Sequence, residues 1–356
     1  MTRSLDTYRL LGRSGLRVSP LALGTMTFGS DWGWGASRDE ARRIFDTYVD
    51  RGGNFIDSAN VYTNGSAERL VGEFARDRRD GLVLATKYTM TTRAGDPNAG
   101  GNHRKSMVGA VEDSLRRLGT DYIDLLYLHA WDSTTPVEEV LRAMDDLVRA
   151  GKVLYVGISD TPAWQVARMQ AIADLRGWSP LAALQIEYSL IERTVERELI
   201  PMAGEMGLGV IPWSPLGSGV LTGKYSRADL GDQGGPAGVA DTRKDVAAGN
   251  GSLTERALGI AEVVTKVAGD LGVTPSQVAL AWTMRDPRVT APIIGARTLD
   301  QFEDNLGALG LTLPDAALAD LEAASAIELG FPHDFLNRPM TRGVMYGGLR
   351  IEPALR

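Results

Sequence analysis

The sequence predicts an α/β fold: a (β/α)8 TIM barrel with an N-terminal β-hairpin, a long loop after the seventh strand and a C-terminal extension. Short apolar runs alternate with amphipathic helical stretches, and there are eight such pairs. Alternation of this kind is typical of a parallel sheet, and eight pairs is the number that closes a barrel. Several of the apolar runs also stop at a polar or ionisable residue, as strands that end at an active site do.

The elements follow one another at regular intervals. Residues 8–12 and 16–19 flank the turn residues Arg13, Ser14 and Gly15, and we interpret them as a hairpin that could plug one end of the barrel. The predicted strands lie near residues 21, 54, 82, 123, 153, 183, 208 and 290, and the predicted helices near residues 38, 67, 104, 137, 162, 195, 254 and 298.

A doubly wound sheet would produce a similar alternation. It would normally carry a glycine fingerprint for a dinucleotide after an early strand, and this sequence has none there. The nearest match, Gly217, Gly219 and Gly223, follows the seventh strand. We therefore expect a single barrel domain over residues 1–356.

Two segments depart from the alternation. Residues 214–251 are rich in Gly, Pro, Asp and Ser and show little periodicity, so they are a candidate lid. The C-terminal part has a helical pattern at residues 314–322, followed by an irregular tail over residues 330–356 that could fold over the barrel mouth. For both segments a mobile surface loop is the alternative.

Composition excludes several classes of protein. A net charge of -7, without a basic tract, argues against general binding to nucleic acid or anionic membranes. The absence of cysteine rules out disulfides and thiolate chemistry. The N-terminus has no signal-peptide core, and no apolar run approaches the roughly 18 residues of a membrane span. We expect a cytoplasmic protein, either a monomer or a homo-oligomer.

Four successive strands end at polar side chains. Asp57, Lys87 and His129 end three of them, and Ser159 with Asp160 ends the fourth. An ammonium on a buried strand needs a partner, and Asp57 on the neighbouring strand is the obvious one.

A tyrosine on the next loop bears on the role of this pair. The alternative to a catalytic role is a structural ion pair, but Tyr62 lies one loop away. A nearby Lys87 ammonium should lower the pKa of Tyr62, which could then act as a general acid near neutral pH.

Metal and nucleophile chemistry is not indicated. The sequence has three histidines, no cysteine and no paired-ligand spacing, so we expect no metal site. It also lacks the Gly-x-Ser-x-Gly elbow and the Walker loop.

These polar residues lie in motifs that resemble the aldo-keto reductase family. The resemblance runs from Leu21 to about Leu309 and is nearest the branch of aryl-alcohol dehydrogenase-like enzymes and potassium-channel β-subunits. The motifs that carry it, in chain order, are FIDSANVY, ATKY, DLLYLHAWD, GISD, LQIEYSL, PWSPLGSGVLTGKY and IIGARTLDQFEDNLGAL.

The resemblance implies a catalytic tetrad of Asp57, Tyr62, Lys87 and His129. Tyr62 would donate the proton, Lys87 and Asp57 would tune it, and His129 would orient the substrate carbonyl. The positions matching the family's cofactor site are Gly24, Thr25, Met26, Asp57, Ser159, Asp160, Gln185, Trp213, Ser214, Pro215, Leu216, Gly217, Ser218, Lys224, Gly295, Arg297, Gln301, Asp304 and Asn305. One departure from the family pattern is Asp160, where Asn is common. The difference matters because an ionised Asp accepts hydrogen bonds but does not donate them.

The function that the resemblance implies is NADPH-dependent reduction of aldehydes or ketones to alcohols. One alternative is an NADP-binding sensor subunit, which would hold the cofactor tightly and turn over slowly. Another is a barrel with a structural ion pair and no nucleotide. Trp32, Trp34, Trp131 and Tyr88 are expected at the barrel mouth and favour an aromatic or bulky alicyclic carbonyl substrate.

Cofactor choice depends on the segment after the eighth strand. Arg297 precedes a predicted helix and favours the 2′-phosphate of NADP. The acids Asp300, Glu303 and Asp304 could instead bind the 2′-hydroxyl of NAD. We expect Arg297 to decide, because a guanidinium suits phosphate and Asp304 matches a family position at the adenine end.

Overall fold

The computed structural model describes residues 3–230, 242–349 and 351, and it contains eight parallel strands in a nearly closed barrel. The strands are β3 (Ala22–Gly24), β4 (Phe55–Asp57), β5 (Val83–Tyr88), β6 (Ile123–Leu128), β7 (Val153–Ser159), β8 (Leu181–Glu187), β9 (Gly209–Trp213) and β10 (Ile293–Ile294). Neighbours in the chain are neighbours in the sheet, and β10 pairs with β3. The residues just before β10 approach β9, where the amide of Thr290 donates to the carbonyl of Val210 at 2.8 Å. The predicted barrel is confirmed.

An antiparallel hairpin covers one end of the barrel. Its strands are β1 (Arg9–Leu10) and β2 (Arg17–Val18). Leu11 and Val18 are fully buried and pack in one cluster with side chains of the barrel interior, including Phe55 and Leu125. Phe55 begins its strand, so the hairpin closes the end at which the strands start. The opposite end is the mouth.

The helices pack around the barrel and mostly follow the strands in turn. They are α1 (Arg38–Asp50), α2 (Ser66–Ala75), α3 (Arg104–Leu118), α4 (Val137–Arg149), α5 (Ala163–Arg176), α6 (Leu199–Met206), α7 (Arg243–Gly249), α8 (Glu255–Leu271), α9 (Pro275–Met284), α10 (Leu299–Leu306), α11 (Asp315–Ser325), α12 (His333–Asn337) and α13 (Pro339–Tyr346).

Local signals set several helix starts. Ser37, Thr254, Thr274 and Thr298 each accept a hydrogen bond from the amide three residues ahead, which satisfies one of the unpaired amides of the first turn. No helix in the parts of the chain that the structure describes is long and apolar enough to cross a membrane.

Three segments are more helical than predicted. Helix α9 was not expected, although Thr274 followed by Pro275 is a strong start signal. The tail is not irregular, because α12 and α13 occupy most of residues 333–346. The long segment after β9 contains short 3-10 turns and α7, which begins with a capping box between Thr242 and Asp245. Residues 231–241 of the predicted lid, and residues 350 and 352–356 of the tail, lie outside the described residues.

Candidate active site

The polar strand ends meet at the mouth, as the parallel topology requires. Asp57 ends β4, Lys87 is the penultimate residue of β5, His129 follows β6 and Ser159 ends β7. Tyr62 begins a short turn, Tyr62–Gly65, between β4 and α2. The structure therefore brings the four members of the expected tetrad into one cluster.

Lys87 is the centre of this cluster. Its side chain is inaccessible to solvent, and its ammonium Nζ donates to Asp57 Oδ1 at 2.5 Å, to the Ser58 carbonyl at 2.7 Å and to Tyr62 Oη at 3.2 Å. Three acceptors match the three N–H bonds of an ammonium. Burial lowers the pKa of Lys87, but Asp57 and Tyr62 more than offset it, and the pKa lies above its ordinary value. Lys87 is therefore charged.

Tyr62 differs from the prediction in its net pKa. Burial raises the pKa of its phenol, the charge of Lys87 lowers it and the charge of Asp57 raises it, with a net value above the ordinary one. The expected effect of Lys87 is present, but the loss of hydration outweighs it. Tyr62 is therefore protonated at neutral pH.

His129 is held neutral beside Tyr62. Burial first, and then the charge of Lys87, lower its pKa to about 3. The rings of Tyr62 and His129 meet edge to face, with centroids 6.0 Å apart. Within the described residues, Nδ1 of His129 is buried without a hydrogen-bond partner. A neutral imidazole has one donor and one acceptor nitrogen, so this ring can hydrogen-bond to an uncharged ligand group.

The floor of the mouth is polar and tightly packed. Asp57 uses its second oxygen, Oδ2, to accept from Gln185 Nε2 at 2.8 Å, and its carbonyl accepts from the amide and hydroxyl of Thr25. A Cβ atom at Gly24 would lie 2.6 Å from Cγ2 of Ile293, so a larger residue does not fit. Met26 follows in the same turn and is partly buried.

One buried hydroxyl on this floor is poorly satisfied. Among the described residues, Ser159 Oγ is buried without a well-aligned hydrogen bond, although it interacts with the neighbouring Asp160 carboxylate and opposes the rise that burial gives the pKa of that group. Buried polar atoms are normally fully satisfied, so this hydroxyl beside an open mouth suits a polar ligand group.

Asp160 and Trp213 contact each other across the mouth. The indole Nε1 donates to Asp160 Oδ1 at 3.0 Å, and Asp160 adopts a positive φ of 38°. The carboxylate therefore acts as an acceptor and binds the ring that resemblance places against the nicotinamide. Residues other than Gly seldom adopt this conformation, and Asp is among the few that tolerate it, so the strand end carries a modest strain.

A titratable residue to which the motifs assign no role lies beside Trp213. Glu187 is the last residue of β8 and pairs with Trp213 in register. Burial, followed by the charges of Glu192 and Asp160, raises the pKa of Glu187 to about 7. The sequence indicates this position through spacing: Glu187 lies two residues after Gln185 on one strand, so both side chains point to the same side.

The segment after β9 forms a tight coil. Ser214, Gly217, Ser218 and Gly219 all have positive φ angles. A Cβ at Gly219 would lie 2.8 Å from Nζ of Lys224, so the ammonium lies directly against this coil. Pro215 and Leu216 lie within it, buried and partly buried respectively. Asn250 Nδ2, just after α7, donates to Ser218 Oγ at 2.8 Å and ties the far end of the segment to its start.

The residues expected near the adenosine phosphate divide into two groups. Arg297 is partly buried, and within the described residues its guanidinium has no hydrogen-bond or ion partner. Its amide donates to Gln301 Oε1 at 3.1 Å. Gly295 is exposed nearby, and Asn305 is buried on α10.

The acids of this region have partners within the protein. Both carboxylate oxygens of Asp304 accept from residues of the neighbouring helix region, Thr274 at 3.0 Å and Gln277 at 2.9 Å. Glu303 pairs with Arg51. Asp300 is exposed in the first turn of α10.

The expected aromatic residues are not all at the mouth. Trp32 and Trp34 pack together with ring centroids 5.7 Å apart, and Trp131 is partly buried, its amide donating to the Asp160 carbonyl. Tyr88 was wrongly expected on a mouth loop. It ends β5 with its side chain fully buried in the core between sheet and helices, because successive strand residues face opposite sides and Lys87 faces the interior.

Comparison with known proteins assigns the family. Residues 20–326 match the Aldo/keto reductase family. The chain is 40% identical to norsolorinic acid reductase of Aspergillus flavus, covering 93% of this chain and 84% of that protein. It is 36% identical to an aryl-alcohol dehydrogenase of Pestalotiopsis microspora (93% and 85% covered) and 34% identical to a putative aryl-alcohol dehydrogenase of Saccharomyces cerevisiae (93% and 90% covered). The chain therefore belongs to the aldo/keto reductase family of oxidoreductases.

Proposed function

We propose that this protein is an NADPH-dependent reductase of aldehydes or ketones in which Tyr62 donates a proton to the carbonyl oxygen. The observation that carries the proposal is the hydrogen bond from Lys87 Nζ to Tyr62 Oη. Because the phenol oxygen accepts this bond, its own O–H is free to donate toward the mouth. Lys87 stabilises the phenolate that remains after the proton leaves.

The neighbouring residues support this transfer. Asp57 and the Ser58 carbonyl fix the ammonium of Lys87 at a defined place, so only its third N–H points at Tyr62. His129 is neutral and lies edge-on to the Tyr62 ring, so we assign it the role of orienting the substrate carbonyl. An uncharged ring there avoids a second positive charge beside Lys87.

The residues present fit a nicotinamide dinucleotide. When bound, the nicotinamide supplies the hydride that the carbonyl carbon receives. The buried, poorly satisfied hydroxyl of Ser159, together with Gln185, suits the carboxamide, and Trp213 suits the ring. Lys224 and the coil after β9 suit the pyrophosphate. Arg297, with no partner among the described residues, suits a 2′-phosphate.

We propose an aromatic carbonyl as the substrate class. Trp32 and Trp34 pack against each other on the segment after β3, and Trp131 follows His129 by two residues, so we expect aromatic rings beside the site. Relatives of this chain carry the name aryl-alcohol dehydrogenase, which agrees with this choice. A screen of aromatic and aliphatic aldehydes and ketones, followed by NADPH absorbance, tests the class.

The first prediction concerns the proton donor. Tyr62→Phe and Lys87→Met should each lower kcat by about 10²- to 10⁴-fold, the range that a general acid contributes. NADPH binding, measured by quenching of tryptophan fluorescence, should change little, because neither side chain is assigned to the cofactor. Near-full turnover of Tyr62→Phe would refute the assignment. Very slow wild-type turnover with tight NADPH binding would instead favour a sensor subunit.

The second prediction concerns cofactor choice. Arg297→Ala should weaken NADPH binding by about ten- to a hundredfold, because a hydrogen bond to a charged group contributes roughly 1.5 to 3 kcal/mol. NADH binding should be nearly unchanged, since it lacks the 2′-phosphate. The engaged carboxylate of Asp304 makes a useful control: Asp304→Asn should affect both cofactors alike. Equal losses for both cofactors in Arg297→Ala, or a wild-type preference for NADH, would disprove the choice.

A further inference from the structure

A buried three-residue network lies behind the candidate site. Glu68 is fully buried in the first turn of α2. Its Oε1 accepts from Thr86 Oγ1 at 2.6 Å, and its Oε2 accepts from Arg117 Nε, on α3, at 2.6 Å. Thr86 is also fully buried, and the Arg117 side chain is 15% exposed. The carboxylate is thus satisfied on both oxygens, so its geometry is defined by two other elements.

The network is linked through the chain to both residues of the proposed proton-donating pair, Tyr62 and Lys87. Thr86 directly precedes Lys87 on β5. Successive strand residues face opposite sides, so Thr86 faces the helices while Lys87 faces the barrel interior. Glu68 lies at the start of α2, which follows the turn that begins with Tyr62 without a break. The Glu68–Thr86 bond therefore fixes the end of the Tyr62 turn against the strand that carries Lys87.

The turn between Tyr62 and Glu68 is strained. Thr63 and Asn64 have φ angles of 44° and 53°, in the left-handed region that costs energy for residues with a Cβ. Gly65 follows with φ of 88°, and a Cβ there would lie 2.9 Å from Cδ of Arg117. Such a backbone persists only when its surroundings hold it in place. Arg117 packs against its last residue and binds Glu68 beyond it.

We propose that Glu68, Thr86 and Arg117 act as a positioning clamp that holds Tyr62 Oη within hydrogen-bond reach of Lys87 Nζ. The inference rests on the proposed function, because the hydrogen bond that the clamp positions is the one between Lys87 and the proposed proton donor, Tyr62. None of the three clamp residues reaches the mouth, so they act through Tyr62 and Lys87 and not on the substrate.

A second buried ion pair, which contacts the same strand β5 from its two sides in the chain, provides a control. Arg79 Nη2 lies 2.7 Å from Asp124 Oδ2, with side chains 13% and 8% exposed, and this oxygen also accepts from the amide of Leu84 on β5. Leu84 lies nearer the hairpin end than Lys87. Removing either buried charge should destabilise the fold, since its arginine partner is left without its counterion. Only the clamp should also affect the geometry at Tyr62.

The test compares Glu68→Gln with Asp124→Asn, the same carboxylate-to-amide change in two buried ion pairs. Glu68→Gln should lower kcat by about tenfold, because a misplacement of about 1 Å at a reacting group can cost about 10²-fold and the shift expected here is smaller. The Kd for NADPH should stay within about twofold. Asp124→Asn should lower Tm yet leave kcat within about twofold. Thr86→Val should lower kcat as Glu68→Gln does. Thr86→Ser, which keeps the hydroxyl, should have the kcat of the wild type.

A spectroscopic readout separates positioning from general loss of stability. The Cζ resonance of Tyr62 in ¹³C-tyrosine-labelled protein, assigned by its disappearance in Tyr62→Phe, reports the hydrogen bond from Lys87 without substrate or cofactor. It should move in Glu68→Gln and Thr86→Val and stay in place in Asp124→Asn and Thr86→Ser. An unmoved resonance together with unchanged kcat in both clamp variants would overturn the clamp. Full turnover by Tyr62→Phe would refute the proposed function instead, and the resonance would still decide whether the clamp positions Tyr62.

Discussion

Burial and neighbouring charges together set the pKa of each ionisable residue of the mouth; they oppose each other at Lys87 and act in the same direction at His129 and Glu187. Burial lowers the pKa of Lys87, but Asp57, 2.5 Å away, and Tyr62 together more than offset it, so Lys87 keeps its charge. His129 has Lys87 as its charged neighbour, so both effects lower its pKa. Glu187 faces the acids Asp160 and Glu192, so both effects raise its pKa. Desolvation and neighbouring charges thus leave Lys87 charged, His129 neutral and Glu187 with a pKa near neutrality.

The pKa of Glu187 predicts a pH-dependent preference among substrates. Its pKa of about 7 means that the carboxyl is neutral below pH 7 and negative above it. The KM of a benzaldehyde that carries a carboxylate should therefore rise by about two- to fivefold between pH 6 and 8, because like charges repel across the mouth. Plain benzaldehyde serves as the uncharged control and should show no such rise.

The variant Glu187→Gln isolates this effect. It should remove the additional rise in KM while leaving Tyr62 and Lys87 untouched. A pH profile for the carboxylate substrate that is the same in wild type and Glu187→Gln would contradict the assignment of the effect to this residue.

At the scale of elements, the segment after β9 is better anchored than its composition indicates. Val220, Ala247 and Leu258 belong to a small apolar cluster of their own, separate from the two larger cores. The bond from Asn250 to Ser218 adds a polar contact at the same place. The predicted lid thus has a packed base at both of its described ends, residues 214–230 and 242–251.

This anchoring predicts which residues should show slower amide hydrogen exchange when the cofactor binds. Amide hydrogen exchange in residues 214–230 should slow when NADPH is added, because a bound pyrophosphate would hold the coil beside Lys224 closed. Exchange in the hairpin, at the other end of the barrel, should not change. Equal exchange with and without NADPH over residues 214–230 would reduce the segment to an ordinary surface connection.

At the scale of the whole molecule, the barrel separates stability from chemistry along its axis. The hairpin packs Leu11 and Val18 into the barrel interior at the end where the strands start. The candidate site occupies the other end, where the strands stop. A substitution at the hairpin end can therefore change the stability of the fold without changing the geometry of the candidate site.

This separation can be measured with two neighbouring leucines. Leu11 is fully buried and Leu10 is 57% exposed. Leu11→Ala should lower the free energy of unfolding by about 2 to 5 kcal/mol, the usual cost of a buried leucine, and Leu10→Ala by about 0.5 kcal/mol or less. Urea denaturation measures both values. The kcat of folded Leu11→Ala should equal that of wild type; a large fall would show that the two ends are coupled.

The sequence by itself determined the strand order, the hairpin and the residues at the strand ends. These are local properties, since an apolar run that stops at Asp57 or Lys87 can be read without knowing what lies beside it. Parallel topology then forces the ends together at one mouth. Motifs that recur in a family carry the same information, because they lie on those strand ends.

Only the tertiary structure decided the electrostatics and the supporting contacts. The net pKa of Tyr62 depends on how deeply its phenol is buried, and no spacing encodes that depth. Tyr88 turned away from the mouth because its neighbour Lys87 faces inward. Asp304 bonds to Thr274, and Glu68 to Thr86 and Arg117, across elements that are separate in the chain. Desolvation and pairing act through space, so they become defined only when distant segments pack together.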